Sequence, residues 1–132
     1  MNTSEAVLIV EPHTNDQQII AGLFKRSLPH LRGSSLTITY AASLSEAKDH
    51  LSKKQFSVVT LNGEFPSFID PLFGHMLIPF IKEKQTNSKI IMISEKTFIK
   101  EGLKRGADLG FHKEYIRNNV KLNENFELIL ID

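Results

Sequence analysis

Residues 6–17 read Ala6-Val7-Leu8-Ile9-Val10-Glu11-Pro12-His13-Thr14-Asn15-Asp16-Gln17. Five apolar residues in succession are the pattern of a strand covered on both faces, as parallel sheets require. Thr14 with Gln17 three positions on is a capping-box signature. Ile19, Ile20, Leu23, Phe24 and Leu28 then recur at helical spacing and form one apolar stripe, which Pro29 is expected to end. The stretch is therefore a strand running directly into a helix, the first half of a βαβ unit.

The same alternation continues outward. Leu36, Ile38 and Tyr40 alternate with Thr37 and Thr39, the period of a half-buried strand. Ser43 and Glu46 make a second capping box, and Leu44, Ala47 and Leu51 line the helix that follows. Phe56 to Leu61 reads as a third strand closed by Asn62-Gly63, and the loop after it contains Pro66 and Pro71. Gly74 to Lys84 is helical in pattern, with Pro79 bending it or shifting its start. Ile90-Ile91-Met92-Ile93 is a buried strand, Glu95 to Lys104 a helix stopped by Gly106, and Leu109 to His112 a short fifth strand. The tail from Asn123 to Ile131 reads as a last helix. Five strands alternating with helices predict an α/β fold. It is a doubly wound, flavodoxin-like parallel sheet of order 2-1-3-4-5 with helices on both faces.

Composition narrows the function. The chain has 132 residues, the size of one domain (residues 1–132), with 41% hydrophobic and 23% charged residues. There is no cysteine, hence no disulfide, thiolate metal site or cysteine nucleophile. Sixteen basic against fifteen acidic side chains give a net charge of +1, which offers no field for nucleic acid or an acidic membrane. No apolar run is long enough to span a bilayer and no signal peptide is evident, so a cytoplasmic protein is expected. The five histidines lack ligand spacing, and Ser94 stands in no nucleophile elbow. Glu11-Pro12-His13 occupies the place of a phosphate-binding glycine loop. Metalloenzyme, hydrolase and nucleotide-binding readings all fall away, and the chain is expected not to be an enzyme.

In such a sheet the site lies at the carboxyl ends of the strands. Those ends are Glu11-Pro12, Asn62-Gly63-Glu64, Ser94-Glu95 and His112-Lys113. With Val7 to Val10 before an acid, Phe65-Pro66 after the third strand, Ile90 to Ser94, and Gly106-Ala107-Asp108 ahead of Lys113, the whole chain resembles the receiver domain of bacterial response regulators. The resemblance implies a two-component signalling module. In working receivers an aspartate ending the third strand takes a phosphoryl group, beside magnesium held with two acids after the first strand. A hydroxyl and a lysine contact the phosphoryl oxygens. Glu11 matches the first acid, Ser94 the hydroxyl and Lys113 the lysine. Pro12 stands at the second acid, Asn62 at the phosphoacceptor, and Gly110 where an aromatic switch is usual.

Asn62 lacks the charge and nucleophilic oxygen that form an acyl phosphate, and Pro12 offers magnesium no ligand. The expectation is a pseudo-receiver that binds magnesium weakly or not at all and acts through protein binding. Its pocket is self-neutralised, with Glu11 or Glu95 pairing Lys113 and with Glu64 nearby. The resemblance implies a histidine kinase, another receiver or an output domain as partner. It also implies a homodimer through the face of the fourth helix, fifth strand and fifth helix. Phe65, Phe68 and Phe73, in a loop longer than the family's usual one, are candidate contact residues, or they fold back onto the sheet. Two alternatives stand beside this reading: phosphorylation on Glu64 or Ser94, and a flavodoxin-like small-molecule site. Asn62-Gly63 is also the dipeptide most open to spontaneous deamidation, which would place an aspartate at the acceptor position.

Overall fold

A computed structural model describes residues 4–32, 35–66 and 72–131. Strand β1 (Ser4–Val10) pairs in parallel with β2 (Ser35–Ala41) on one side and β3 (Val58–Leu61) on the other. A two-residue ribbon follows β3, made of β4 (Glu64–Phe65) antiparallel to β5 (Leu72–Phe73). The sheet continues through β6 (Lys89–Ser94) and β7 (Leu109–His112), giving the order β2-β1-β3-β6-β7, all parallel. Among the strands of this sheet that is the second-first-third-fourth-fifth order predicted.

Strict two-residue alternation divides the core into two layers. Leu8, Val10, Val59, Leu61, Ile90 and Met92 face helices α2 (Leu44–Lys53) and α3 (Ile78–Lys84). Val7, Ile9, Val58, Ile91 and Ile93 face Ile20, Leu23 and Phe24 of α1 (Thr14–Arg32). Gln85 stitches the first layer at its base. Its buried amide donates to the carbonyls of Leu51 and Lys54 and accepts from the Phe56 amide.

The helix ends follow their chemistry with two departures. Ser43 caps α2 by accepting from the Glu46 amide, and the Glu46 carboxylate accepts in turn from Ala42. The box expected at Thr14 does not form. The Gln17 side chain instead donates to the Glu11 carbonyl, and the Glu11 carboxylate accepts from the His13 amide. Helix α1 also runs three residues beyond Pro29, which removes one amide donor without ending the helix. Pro79 shifts rather than bends its helix. A 3-10 turn occupies Gly74–Leu77, and Pro79 falls in the first turn of α3, where no intrahelical amide is needed. Helix α4 (Lys96–Lys104) ends before Gly106, whose φ of +112° suits glycine alone. Asp108, two residues on, accepts from the Ile90 amide and ties the turn to β6.

The predicted last helix is absent. A 3-10 turn (Tyr115–Arg117) leads into an antiparallel hairpin of β8 (Val120–Leu122) and β9 (Leu128–Leu130). Val120, Leu122 and Phe126 complete the α1 layer in the place a fifth helix would take. Asn123 makes the turn, its side-chain oxygen accepting from the amides of Asn125 and Glu127, and Phe126 takes a φ of 64°. The face expected to carry a homodimer therefore lacks its helical third element. Among the described residues no helix is long and apolar enough to cross a membrane.

Candidate functional site

The carboxyl ends of β1, β3, β6 and β7 meet in an open depression of about 330 Å³. It is lined by His13, Asn62, Glu64, Pro66, Ser94, Glu95, Phe98 and Lys113. Each chemical group is set by the strand end that carries it. Lys113 follows β7, and its amide donates to the Ser94 carbonyl, which turns its side chain back across the strand ends. There the ammonium lies 2.7 Å from Glu11 Oε1 and 3.0 Å from Asp16 Oδ2. Glu11 is 0% exposed and Lys113 only 13%, so this pair is screened far less than a surface bridge.

Asp16 did not figure among the expected site residues. It sits in the first turn of α1, five positions past Glu11, and the helix winds it back over the lysine. Its other oxygen lies 3.1 Å from Arg117 Nη2. Burial alone would raise the Asp16 pKa, but the hydrogen bonds and charges of Lys113 and Arg117 outweigh it and hold the carboxyl below its ordinary value. Two carboxylates thus face two cations. No interval in the sequence marks Asp16, because it reaches Lys113 and Arg117 through the winding of the first turn of α1.

The Asp16 network gives a pH prediction. Its folded pKa lies below the unfolded one, so the unfolded chain binds more protons in between. The stabilisation is complete above the unfolded value of about 4 and is lost as pH falls through the folded value. Asp16→Asn is expected to flatten the acid limb of stability against pH, read by urea unfolding below neutrality. An unchanged acid limb would contradict the assignment.

Asn62 directly follows β3 and is 7% exposed. Its Nδ2 donates to the Glu64 carbonyl at 2.8 Å, and its Oδ1 accepts from Ser94 Oγ at 3.3 Å. Ser94, 2% exposed, also accepts from the Gly63 amide at 2.9 Å. Glu64 points its side chain to solvent at the rim, and Pro12 is half-buried. Glu95 does not reach Lys113; it pairs with His112 Nε2 at 3.2 Å. Gly110 lies on β7 where a Cβ would fall 2.3 Å from Ile99 Cγ2, so the close packing of α4 occupies the place of an aromatic.

The expected contact loop divides. Phe65 is 2% exposed and packs in the core beside Leu61 and Leu77, so it is no contact residue. An apolar residue on β4 faces the sheet because its neighbour Glu64 takes the solvent side. Phe73 is half-buried, stacked on His75 and tilted against Phe98. Phe68 lies outside the described residues.

Magnesium, which the receiver fold implies, does not suit this donor set. Glu11 has one oxygen on an ammonium and the other on the His13 amide. Pro12 has no donor, and the Asn62 oxygen is neutral and already accepts from Ser94. Among the described residues no three His, Cys, Asp or Glu side chains group as a metal site, whereas magnesium takes hard, anionic oxygens in octahedral array.

A scan against protein-family models and a search of curated proteins found no match. Solved structures do match. A CheY-like response regulator receiver domain from Methanospirillum hungatei is 18% identical, with a TM-score of 0.64, over 84% of this chain and 82% of that one. One from Methylobacillus flagellatus is 19% identical with a TM-score of 0.66, over 84% and 87%. A response regulator protein from Thermotoga maritima, in complex with Mg2+ and BeF, is 19% identical with a TM-score of 0.63, over 83% and 86%. At these identities the likeness establishes the fold: a flavodoxin-like α/β domain of the kind found in CheY-like receivers.

Proposed function

We propose that this chain is a receiver-like module of two-component signalling, cytoplasmic and non-enzymatic, that acts by binding protein without taking up a phosphoryl group. The observation that carries this reading is the Lys113 ammonium held between Glu11 and Asp16, at 2.7 and 3.0 Å, beside an amide at the acceptor position. A lysine so held spends two of its three donors on carboxylates, so a phosphoryl oxygen would have to compete with both. Against Ser94 as a substitute acceptor stands its buried hydroxyl, which bridges Asn62 and Gly63 with no base hydrogen-bonded to it among the described residues. A protein surface is supported by the hairpin side, where Tyr115, Ile129 and Leu130 are exposed beside a shallow apolar depression lined by Phe111, Val120 and Leu128. The partner is a histidine kinase, another receiver or an output domain.

Thermal unfolding tests the chemistry. Excess beryllium fluoride with magnesium is expected to leave Tm unchanged. A ligand specific to the folded state at a hundredfold over Kd would add about 2.7 kcal/mol, and a rise of that order would overturn the reading. Binding to the partner is likewise expected to be indifferent to magnesium and acetyl phosphate.

A further inference from the structure

We propose that Asn62-Gly63 is a latent modification site, a deamidation clock held shut by the Ser94 hydroxyl. The reaction needs the Gly63 nitrogen to lose its proton and attack Asn62 Cγ. A C–N bond forms, the Cγ–Nδ2 bond breaks, and ammonia leaves carrying that proton. Water then opens the succinimide to aspartate or isoaspartate. Glycine permits the approach because no Cβ stands in the way.

Every group in this sequence is restrained in the fold. The attacking nitrogen donates its hydrogen to Ser94 Oγ at 2.9 Å. The same hydroxyl donates to Asn62 Oδ1 at 3.3 Å, and the leaving Nδ2 is held on the Glu64 carbonyl at 2.8 Å. Phe98 lies directly over Gly63, where an added Cβ would come within 2.2 Å of its side chain, and Asn62 itself is 7% exposed. One serine thus restrains both the nucleophile and the electrophile, and the reaction waits on local opening of the β3 end. The inference stands on these contacts and does not depend on how the module signals. Once formed, an aspartate would set a carboxylate oxygen against the Glu64 carbonyl in place of a donor, so the loop would not close again in the same way.

Peptide mapping by mass spectrometry after ageing in mildly alkaline buffer tests this on the folded protein. Asn87, exposed and outside the cleft although Ser88 after it is half-buried, serves as internal reference. Wild type is expected to deamidate at Asn62 more slowly than a peptide of residues 58–66. Ser94→Ala should raise the rate at Asn62 about tenfold, the factor to which the loss of a net hydrogen bond corresponds, with Asn87 unchanged. Ser94→Thr, which keeps the hydroxyl, should stay slow. A parallel rise at Asn87 would mean general unfolding and would overturn the assignment to Ser94. So would equal rates at Asn62 in wild type and Ser94→Ala, or a folded wild type as fast as the peptide.

Discussion

Lys113→Met is expected to cost about 3–5 kcal/mol of stability, the usual loss when one partner of a buried ion pair is removed. Glu11 is fully buried, and the ammonium 2.7 Å away is the only cation given to it among the described residues. Asp16 keeps Arg117, so the damage falls on Glu11. The companion variant is what separates charge from packing. Lys113→Met with Glu11→Gln removes both formal charges while the amide oxygen can still accept from His13, and it should recover most of the loss. Urea unfolding of both variants measures this. A single variant within 1 kcal/mol of wild type, taking about that as the ceiling of an exposed pair, would show that the ions contribute no more than surface charges. The account would then lose its reason for a closed pocket.

Gly74→Ala is expected to be comparably severe. An added Cβ would lie 1.7 Å from the Asn62 carbonyl oxygen, which is backbone and cannot swing aside. The Gly74 amide also donates to the Gly63 carbonyl at 2.9 Å, closing the base of the β4–β5 ribbon. The ribbon and the end of β3 would have to part, a loss of about 3 kcal/mol, at the top of the range for overpacking. The effect should reach the site as well as stability, since the segment displaced is the one that holds Asn62. Chemical-shift changes centred on residues 62–65 and 94 are the expected signature. A variant as stable as wild type would mean that this contact is looser than the geometry states.

The sheet was legible because its central strands are buried on both faces and leave a continuous apolar record, as in Val7 to Val10 and Ile90 to Ile93. Its ends were legible for the same reason, since a polar residue directly after such a run has to stand at the strand's carboxyl edge. The tail was not. Leu128 to Ile131 is compatible with a helix or a strand by hydropathy, and the expectation of a fifth helix followed the fold's usual pattern. The asparagines at 123 and 125 carried the contrary signal, because Asn123 satisfies two turn amides that a helix would have used internally. Asp16 was missed for a related reason. Aligned strand ends point to Glu11, Asn62, Ser94 and Lys113, but an acid one helical turn away reaches the lysine only through the winding of α1. Glu95, directly after Ser94 where the resembled family has a small residue, was one of two expected partners for that lysine, but its carboxylate pairs with His112 instead.

The structure is a CheY-like fold in which Lys113 is held between Glu11 and Asp16 and Asn62 is hydrogen-bonded beyond the end of β3. The proposed reading is that this cleft takes up no phosphoryl group. Intact-mass measurement after incubation with acetyl phosphate and magnesium tests that claim most directly. The account predicts no gain of a phosphoryl mass at any time point. A species heavier by one phosphoryl group, mapped to the cleft, would contradict it.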